Sequence, residues 1–218
     1  MGLKNNSPKL NPPSRNIKNG HFGKHIVYFP SLKNSRQIVC ESKLESDFCI
    51  LLEFDQSIIS YHPQPITIRT VVGDTTKRYT PDFLIKRRYQ KDLYVEIKPD
   101  AQLLTNDYLE HILQARRQFR KRGASFLLID AKKIRTHHKL NNLRTIYSRI
   151  HNTTKLEDDY LQDYLKETLF PCSIKRLVSN PNAPTLNAIL KAIFTHKLYM
   201  NLDEPISPTS TVDTHHEQ

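Results

Sequence analysis

Apolar and polar positions alternate along two short stretches of the chain, residues 79–85 and 92–99, and this period of two predicts a β-strand in each. Side chains two positions apart on a strand share a face, so the second strand places Glu96 beside Lys98. If the two strands pair, Asp82 of the first strand lies beside Glu96. The pattern therefore predicts two carboxylates and an ammonium group at one place.

The segments around these strands predict an α/β domain with a mixed sheet flanked by helices, over residues 25–133. In the order strand, strand, helix, strand, helix and strand, they span residues 25–30, 38–40, 41–54, 66–72, 105–122 and 125–130. Residues 77–85 are predicted to return antiparallel to the strand before them and to carry Asp82. The last strand is apolar throughout, which is typical of burial on both faces. The strand, helix and strand that end the domain predict a right-handed crossover between parallel strands.

The helix predicted over residues 41–54 begins with a capping-box pattern in which Glu45 follows Ser42 by three positions. Glu45 also starts a stripe at helical spacing that continues with Phe48, Cys49 and Leu52. The residues alone allow two interpretations. Glu45 is either a capping residue at the start of the helix, or an acid that faces the sheet and reaches the predicted site.

After the α/β domain the pattern becomes mainly helical. Residues 134–152 are basic and predict a linker helix, and residues 153–203 predict a small, mainly α, winged-helix-like domain. Its three helices and one strand are predicted at residues 158–169, 173–178, 185–196 and 197–202. The third helix would be the recognition element, but it carries few side chains suited to reading bases. A protein-binding or packing role for this helix stays open.

The two ends of the chain are polar and rich in proline. Residues 1–24 show no periodicity and predict a disordered basic arm, which either follows DNA phosphates or is only a solvated tail. Residues 204–218 predict a disordered tail.

Charge points to a polyanionic partner. The 218 residues carry a formal net charge of +11, and such a charge favours nucleic acid through the release of counterions. Part of the basic cluster in the helix over residues 105–122 is explained by its position at a helix C-terminus. The candidate DNA contacts lie in that helix and in the turn after residue 85: Lys86, Arg87, Arg88, Lys91, Arg116, Arg117 and Arg120.

The composition argues against membrane insertion and against a disulfide framework. No apolar run approaches the roughly 20 residues of a membrane span, and the N-terminus lacks the apolar core of a secretory signal. The cysteines, Cys40, Cys49 and Cys172, form no CxxC pair and are expected to be small buried apolar residues. We expect a protein of a reducing cytoplasm, without a membrane partner.

Two close carboxylates repel each other unless a divalent cation lies between them, and a neighbouring lysine can orient or deprotonate a water. Pro81-Asp82 followed by Glu96-Ile97-Lys98 resembles the PD-(D/E)XK signature of restriction-endonuclease-like nucleases. The alternative is an ordinary amphipathic hairpin with a Glu–Lys pair on its exposed face.

Four stretches extend this resemblance to a particular family. They occur in the expected order and spacing at residues 42–55, 64–65, 79–83 and 95–99, and read SKLESDFCILLEFD, QP, YTPDF and VEIKP. Over roughly residues 25–205 the chain is similar to the TnsA family, the endonuclease subunit of heteromeric, Tn7-like cut-and-paste transposases. Its compact size resembles the members found in CRISPR-associated transposons.

The resemblance implies an α/β restriction-endonuclease-like domain followed by a winged-helix domain. A subunit of this kind cuts the 5′ strands at the transposon ends in double-stranded DNA, while a TnsB-like transposase cuts and joins the 3′ ends. A TnsC-like AAA+ ATPase is bound through the C-terminal domain.

The resemblance also assigns roles to individual residues. Glu45, Asp82 and Glu96 would be catalytic metal ligands, with Lys98 as the catalytic lysine and Gln64 as a supporting residue. The backbone carbonyl of Ile97 would complete a Mg²⁺ site, in which Mn²⁺ could substitute. A stand-alone restriction or repair nuclease, and an assembly subunit with an inactive site, remain the alternatives.

Overall fold

The computed structural model describes residues 25–214. The chain forms two compact units, and the boundary along the chain lies between Ile134 and Arg135. The first unit contains, in chain order, β1 (Val27–Ser31), β2 (Arg36–Cys40), α1 (Lys43–Phe54), β3 (Ile58–Pro63), β4 (Ile68–Val72), β5 (Thr75–Tyr79), β6 (Phe83–Arg87), β7 (Leu93–Lys98), a 3₁₀ turn (Ala101–Leu103), α2 (Asn106–Lys121), β8 (Ser125–Asp130) and α3 (Ala131–Ile134). The second contains α4 (His137–Ile150), α5 (Lys155–Lys166), β9 (Cys172–Ser173), α6 (Ile174–Val178), α7 (Leu186–Phe194) and β10 (Thr211–Val212).

A mixed four-stranded sheet forms the centre of the first unit, with the strand order β3-β6-β7-β8. The first two pairings are antiparallel and the pairing of β7 with β8 is parallel. Phe83 of β6 lies opposite Val95 of β7. The α/β class and the mixed sheet predicted from the sequence are therefore found.

Helices cover both faces of this sheet. On one face Phe48 of α1 meets Phe83, with ring centroids 5.8 Å apart. On the other, Phe119 of α2 stacks on Tyr94 at 3.9 Å and lies parallel to Phe126 at 6.0 Å. Because side chains alternate along each strand, the same strands supply both interfaces.

The crossover from β7 to β8 runs through α2, as predicted. Thr105 caps the helix by accepting a hydrogen bond from the Tyr108 backbone N–H. Gly123 ends it with a φ of +77°, a left-handed conformation that glycine adopts without a steric penalty.

Two strand predictions are wrong in detail. Residues 77–85 do not form one strand, because β5 ends at Tyr79 and β6 begins at Phe83. β5 instead pairs with β4 in a separate two-stranded sheet. β8 is not buried on both faces, since it is the last strand in the sheet order and Leu127 is 40% exposed.

The second unit differs from its prediction in three places. The segment predicted as a linker helix forms α4, which contacts α7 and buries the apolar side chains Leu140, Leu143, Ile146, Tyr147 and Ile150. Residues 197–202 form no strand beyond a single bridge from Tyr199 to Asp213. β9 pairs instead with β10, which lies inside the predicted disordered tail.

The predicted tail is ordered at least to residue 214. Val212 is fully buried, and the Asn142 side chain donates hydrogen bonds to the carbonyls of Leu202 and Glu204 at 2.8 and 2.6 Å. A winged helix is not confirmed by these elements. The predicted arm at residues 1–24 and the last four residues of the predicted tail lie outside the described residues.

Two further expectations concern the described part of the chain. Between residues 25 and 214 no helix combines the length and the apolar character needed to cross a membrane. Cys40, Cys49 and Cys172 are free and buried, in agreement with the role of small apolar residues.

Candidate active site

Asp82 lies in the break between β5 and β6. Pro81 has no backbone N–H to donate to a strand ladder, and the chain changes sheets at this point. The Ile97 N–H donates to Asp82 Oδ2 at 2.6 Å, and the Gln64 N–H donates to the Asp82 carbonyl at 2.8 Å. These two bonds fix Asp82 beside the end of β7.

Glu96 lies at the centre of the candidate site. The register that pairs Phe83 with Val95 places Glu96 opposite Asp82, as the sequence predicts. Its carboxylate is almost completely buried and is held by three donors. They are the Tyr79 hydroxyl to Oε2 at 2.8 Å, the Tyr108 hydroxyl to Oε1 at 2.5 Å, and Lys98 Nζ to Oε1 at 2.7 Å.

The electrostatics around Asp82 disfavour its charge. Burial raises the pKa of Asp82 well above its usual value, and the nearby carboxylates of Glu96 and Glu45 raise this pKa further. The hydrogen bond from Ile97 and the charge of Lys98 act in the opposite direction without cancelling the shift. A cation between these acids would relieve the repulsion.

Lys98 is held as an ammonium group. Burial lowers its pKa, but the charge of Glu96 and the hydrogen bond to it outweigh burial, so the pKa of Lys98 is raised. The ammonium also lies 5.0 Å from the centroid of the Tyr108 ring, a cation–π distance. This arrangement suits orienting a water or stabilising a phosphate better than accepting a proton.

Glu45 occupies the capping position. Its N–H donates to Ser42 Oγ at 3.1 Å, and its carboxylate accepts from the Ser42 hydroxyl at 2.9 Å and from the Glu41 N–H at 2.8 Å. Glu45 therefore serves the helix cap, but through the Glu41 N–H and the Ser42 hydroxyl and not through the Ser42 backbone N–H of a capping box. Glu45 still contributes to the electrostatic field at Asp82, so the two interpretations are compatible.

The donor set fits a hard cation only in part. Among residues 25–214 no group of three or more His, Cys, Asp or Glu side chains is arranged to hold a metal ion. Asp82, Glu96 and the Ile97 carbonyl remain as oxygen donors, which is the chemistry that Mg²⁺ prefers. Such a small protein set requires that water or the substrate supply the remaining ligands.

Gln64 supports this site through its backbone. Its side chain is buried, and its φ of +45° is uncommon for a residue with a Cβ. This conformation directs the Gln64 N–H at the carbonyl of Asp82. The position predicted as a supporting residue therefore contacts a site residue.

The basic candidates lie away from these acids. Asp82 and Glu96 are at one end of the β6–β7 pair, and the turn with Arg88 and Lys91 is at the other. At about 3.3 Å per residue, Arg88 is about 20 Å from Asp82 along the strand. The turn therefore lies at the end of the active-site strands, as the sequence predicts, but at the end opposite Asp82 and Glu96.

Several of these basic groups also have local partners. Lys86 forms an ion pair with Asp92, and the Arg87 guanidinium donates to the Lys91 carbonyl at 2.7 Å. Three further basic residues are exposed on α2, in its C-terminal half: Arg116, Arg117 and Arg120.

Sequence reasoning missed two tyrosines at the site. Tyr79 belongs to a motif stretch, and Tyr108 occupies the first turn of the helix that follows Lys98, so helix capping at Thr105 could have indicated its position. Their hydroxyl contacts depend on the packing of β5 and α2, which no local pattern reports. Both border an open cleft of about 340 Å³, which is lined by Thr67, Arg78, Tyr79, Thr80, Glu96 and Tyr108.

A mixed sheet flanked by helices, with an aspartate, a glutamate and a lysine at adjoining strand ends, is compatible with an α/β nuclease. Residues 55–131 match the family model described as TnsA-like endonuclease N terminal. Over this segment the chain is similar to the TnsA-like endonuclease family, which confirms the resemblance stated from the sequence. Comparison with curated proteins gives no match.

Proposed function

We propose that this chain is the Mg²⁺-dependent endonuclease subunit of a cut-and-paste transposase and hydrolyses the 5′ strands at transposon ends. The observation that carries the proposal is the meeting of Asp82, Glu96 and Lys98 inside the segment that matches the TnsA-like endonuclease. Each residue type is common on strands, but the three converge where the family domain would place its chemistry.

The cation would be held by the carboxylates of Asp82 and Glu96 and by the Ile97 carbonyl. When bound, Mg²⁺ or Mn²⁺ supplies Lewis-acid activation of the phosphate and of a water nucleophile. The buried, mutually repelling acids supply the electrostatic reason for holding such an ion.

Lys98 would orient the attacking water and stabilise negative charge on the scissile phosphate. Its ion pair with Glu96 aims the ammonium at the carboxylates. Glu45 would complete the site through water or through its charge, because its carboxylate oxygens already serve the helix cap.

The partners follow from the family role. Double-stranded DNA at the transposon ends is the substrate, a TnsB-like transposase processes the 3′ ends, and a TnsC-like AAA+ ATPase contacts the second unit. These partners would meet the chain in the bacterial cytoplasm. The net charge of +11 supports the DNA partner.

The test is strand-resolved cleavage of a labelled transposon end with Mg²⁺, with and without the partner transposase. Wild type, Asp82→Ala and Lys98→Ala are compared. We expect 5′-strand cutting that requires the partner and falls by at least about a hundredfold in both variants, because each removes a group acting on the reacting phosphate. DNA binding and a cooperative melting transition serve as controls, and both variants should retain them.

Two results would replace the proposal. Cutting without the partner would identify a stand-alone nuclease. Normal joining of the 3′ ends without any 5′ cut, in a complete complex with wild type, would leave the chain as an assembly subunit.

A further inference from the structure

The Glu96 carboxylate has fewer open acceptor positions than an isolated carboxylate. An ionised carboxylate offers about four lone-pair positions, two on each oxygen. Oε1 accepts from both Tyr108 and Lys98, and among residues 25–214 the one donor to Oε2 is Tyr79. One position therefore stays open, and it is on Oε2.

The two tyrosine hydroxyls reach Glu96 from separate, well-anchored elements. Tyr79 is the last residue of β5, is buried, and packs against Phe126 with ring centroids 6.3 Å apart. Tyr108 is in the first turn of α2, directly after the Thr105 cap. Hydrogen bonds from two different elements therefore hold the carboxylate in one orientation.

We propose that Tyr79 and Tyr108 are positioning residues, each of which orients one of the two carboxylate oxygens of Glu96 for a different role. Tyr108 holds Oε1 in the position where it accepts from Lys98. Tyr79 fixes Oε2 so that its open lone pair faces a divalent cation. This division rests on the proposed function, in which Glu96 is a ligand. It further assigns Glu96 a single coordinating oxygen.

Tyr108 has a second contact with the lysine. Lys98 Nζ lies both 2.7 Å from the shared Oε1 and 5.0 Å from the Tyr108 ring centroid. A change to phenylalanine keeps the ring and removes the hydroxyl. It therefore removes the hydroxyl that shares Oε1 with the ammonium, so Lys98 is less firmly placed, while the Tyr79 bond still fixes Oε2.

The two tyrosines should consequently give different phenotypes. Tyr79→Phe removes the hydrogen bond that orients the coordinating oxygen, and losses of this kind weaken metal binding by about 10–100-fold. Tyr108→Phe should leave metal affinity within about threefold of wild type. At saturating metal it should lower the rate by about tenfold, because Lys98 is less well placed.

The test measures Mn²⁺ binding by the full chain with isothermal titration calorimetry, then 5′-strand cleavage in the complete complex over a Mn²⁺ series. Tyr94→Phe is the matched control, since Tyr94 is on the same strand as Glu96 but stacks on Phe119. Melting curves without metal report folding. A purely structural role would lower the melting temperature without changing affinity or rate.

Asp82→Ala distinguishes a failure of the proposed cation site from a failure of the positioning roles of the two tyrosines. If Asp82→Ala binds Mn²⁺ as wild type does, the cation site of the proposed function fails. If Asp82→Ala loses binding while Tyr79→Phe and Tyr108→Phe behave like Tyr94→Phe, the positioning roles fail and the proposed function stands. Should Tyr79→Phe not fold, an unchanged rate for Tyr108→Phe at saturating Mn²⁺ overturns the division by itself.

Discussion

Asp82 occupies an environment that opposes its own charge. It is partly buried near Glu96 and Glu45, and its backbone and one carboxylate oxygen are fixed by hydrogen bonds from Gln64 and Ile97. Such a residue is retained at a cost in stability, which is typical of functional sites. The loss of stability comes from the charge of Asp82 more than from the shape of its side chain.

We therefore predict that Asp82→Asn stabilises the protein in the absence of metal. The asparagine oxygen can still accept the hydrogen bond from Ile97, while the repulsion with Glu96 and Glu45 disappears. A gain of about 1 kcal/mol corresponds to a rise in melting temperature of roughly 2–4 °C. Thermal unfolding with and without Mn²⁺ measures it.

The same melting curves also measure how much the metal stabilises each variant. Mn²⁺ at a hundred times its dissociation constant should stabilise wild type by about 2.7 kcal/mol, and the Asp82→Asn variant by much less. Asp92→Asn is the matched control, because Asp92 is partly exposed and paired with Lys86. Destabilisation by Asp82→Asn alone would show that its charge is favourable in the fold.

The sequence predicts which site residues come together through the period of a strand and the pairing of two strands. It does not predict the site residues that come together through the packing of separate elements. Glu96 and Lys98 share a face because they are two apart, and Asp82 meets Glu96 through one pairing step. Tyr79 and Tyr108 reach the same carboxylate from β5 and α2, which lie in different layers. Their distance depends on how α2 packs on the β4–β5 hairpin, and periodicity contains no information about that.

At the scale of elements, one break decides where the acids lie. The sequence predicts one strand over residues 77–85 that returns antiparallel to the strand before it. Pro81 interrupts that strand, so β5 stays with β4 and β6 joins the main sheet. The break also places Asp82 before the first residue of β6, where its backbone bonds to Gln64.

The β6–β7 hairpin has opposite chemistry at its two ends. Acids lie at the open end, and the turn carries Arg88 and Lys91 about 20 Å away. Along a B-DNA duplex that distance corresponds to about six base pairs at 3.4 Å each. The turn is therefore suited to contact phosphates away from the cut and not at the scissile phosphate.

We predict that replacing Arg88 and Lys91 with glutamine weakens DNA binding without slowing the chemical step. The slope of log K against log salt should become shallower by about two, because two phosphate contacts are lost. Filter binding at several salt concentrations measures the slope. Single-turnover cleavage at saturating DNA should stay within about twofold of wild type.

A double variant with an equal loss of charge is the control. Lys155→Gln with Lys166→Gln removes two exposed cations from α5 in the second unit. If both pairs change the slope equally, net charge and not the hairpin turn explains the effect. A large loss of rate for the hairpin variant would instead put the turn at the scissile phosphate.

At the scale of the whole molecule, each unit has its own core. The first buries the two faces of its mixed sheet, and the second buries α4 against α7. The boundary after Ile134 follows from these separate cores. The candidate active-site residues all belong to the first unit, so the second can lose its structure without losing a catalytic group from the chain.

The prediction of a disordered C-terminal tail, which was based on composition, is wrong for residues 204–214. Residues 204–214 are polar and contain Pro205 and Pro208, which is typical of disorder. Order comes from a few non-local contacts instead: Val212 is fully buried, β10 pairs with β9, and Asn142 binds the carbonyls of Leu202 and Glu204. Contacts across sixty residues leave no local signature.

We predict that a chain ending after residue 203 loses the structure of its second unit, whereas a chain ending after residue 214 does not. The shorter chain lacks β10 and the buried Val212, and leaves the Asn142 side chain without the Glu204 carbonyl. Limited proteolysis should therefore cut it rapidly between α4 and α7, while the Mn²⁺-dependent stabilisation of the first unit persists. Equal protease resistance of the two chains would mean that residues 204–214 add nothing to the second core, and loss of Mn²⁺ binding in the shorter chain would mean that the first unit depends on the second.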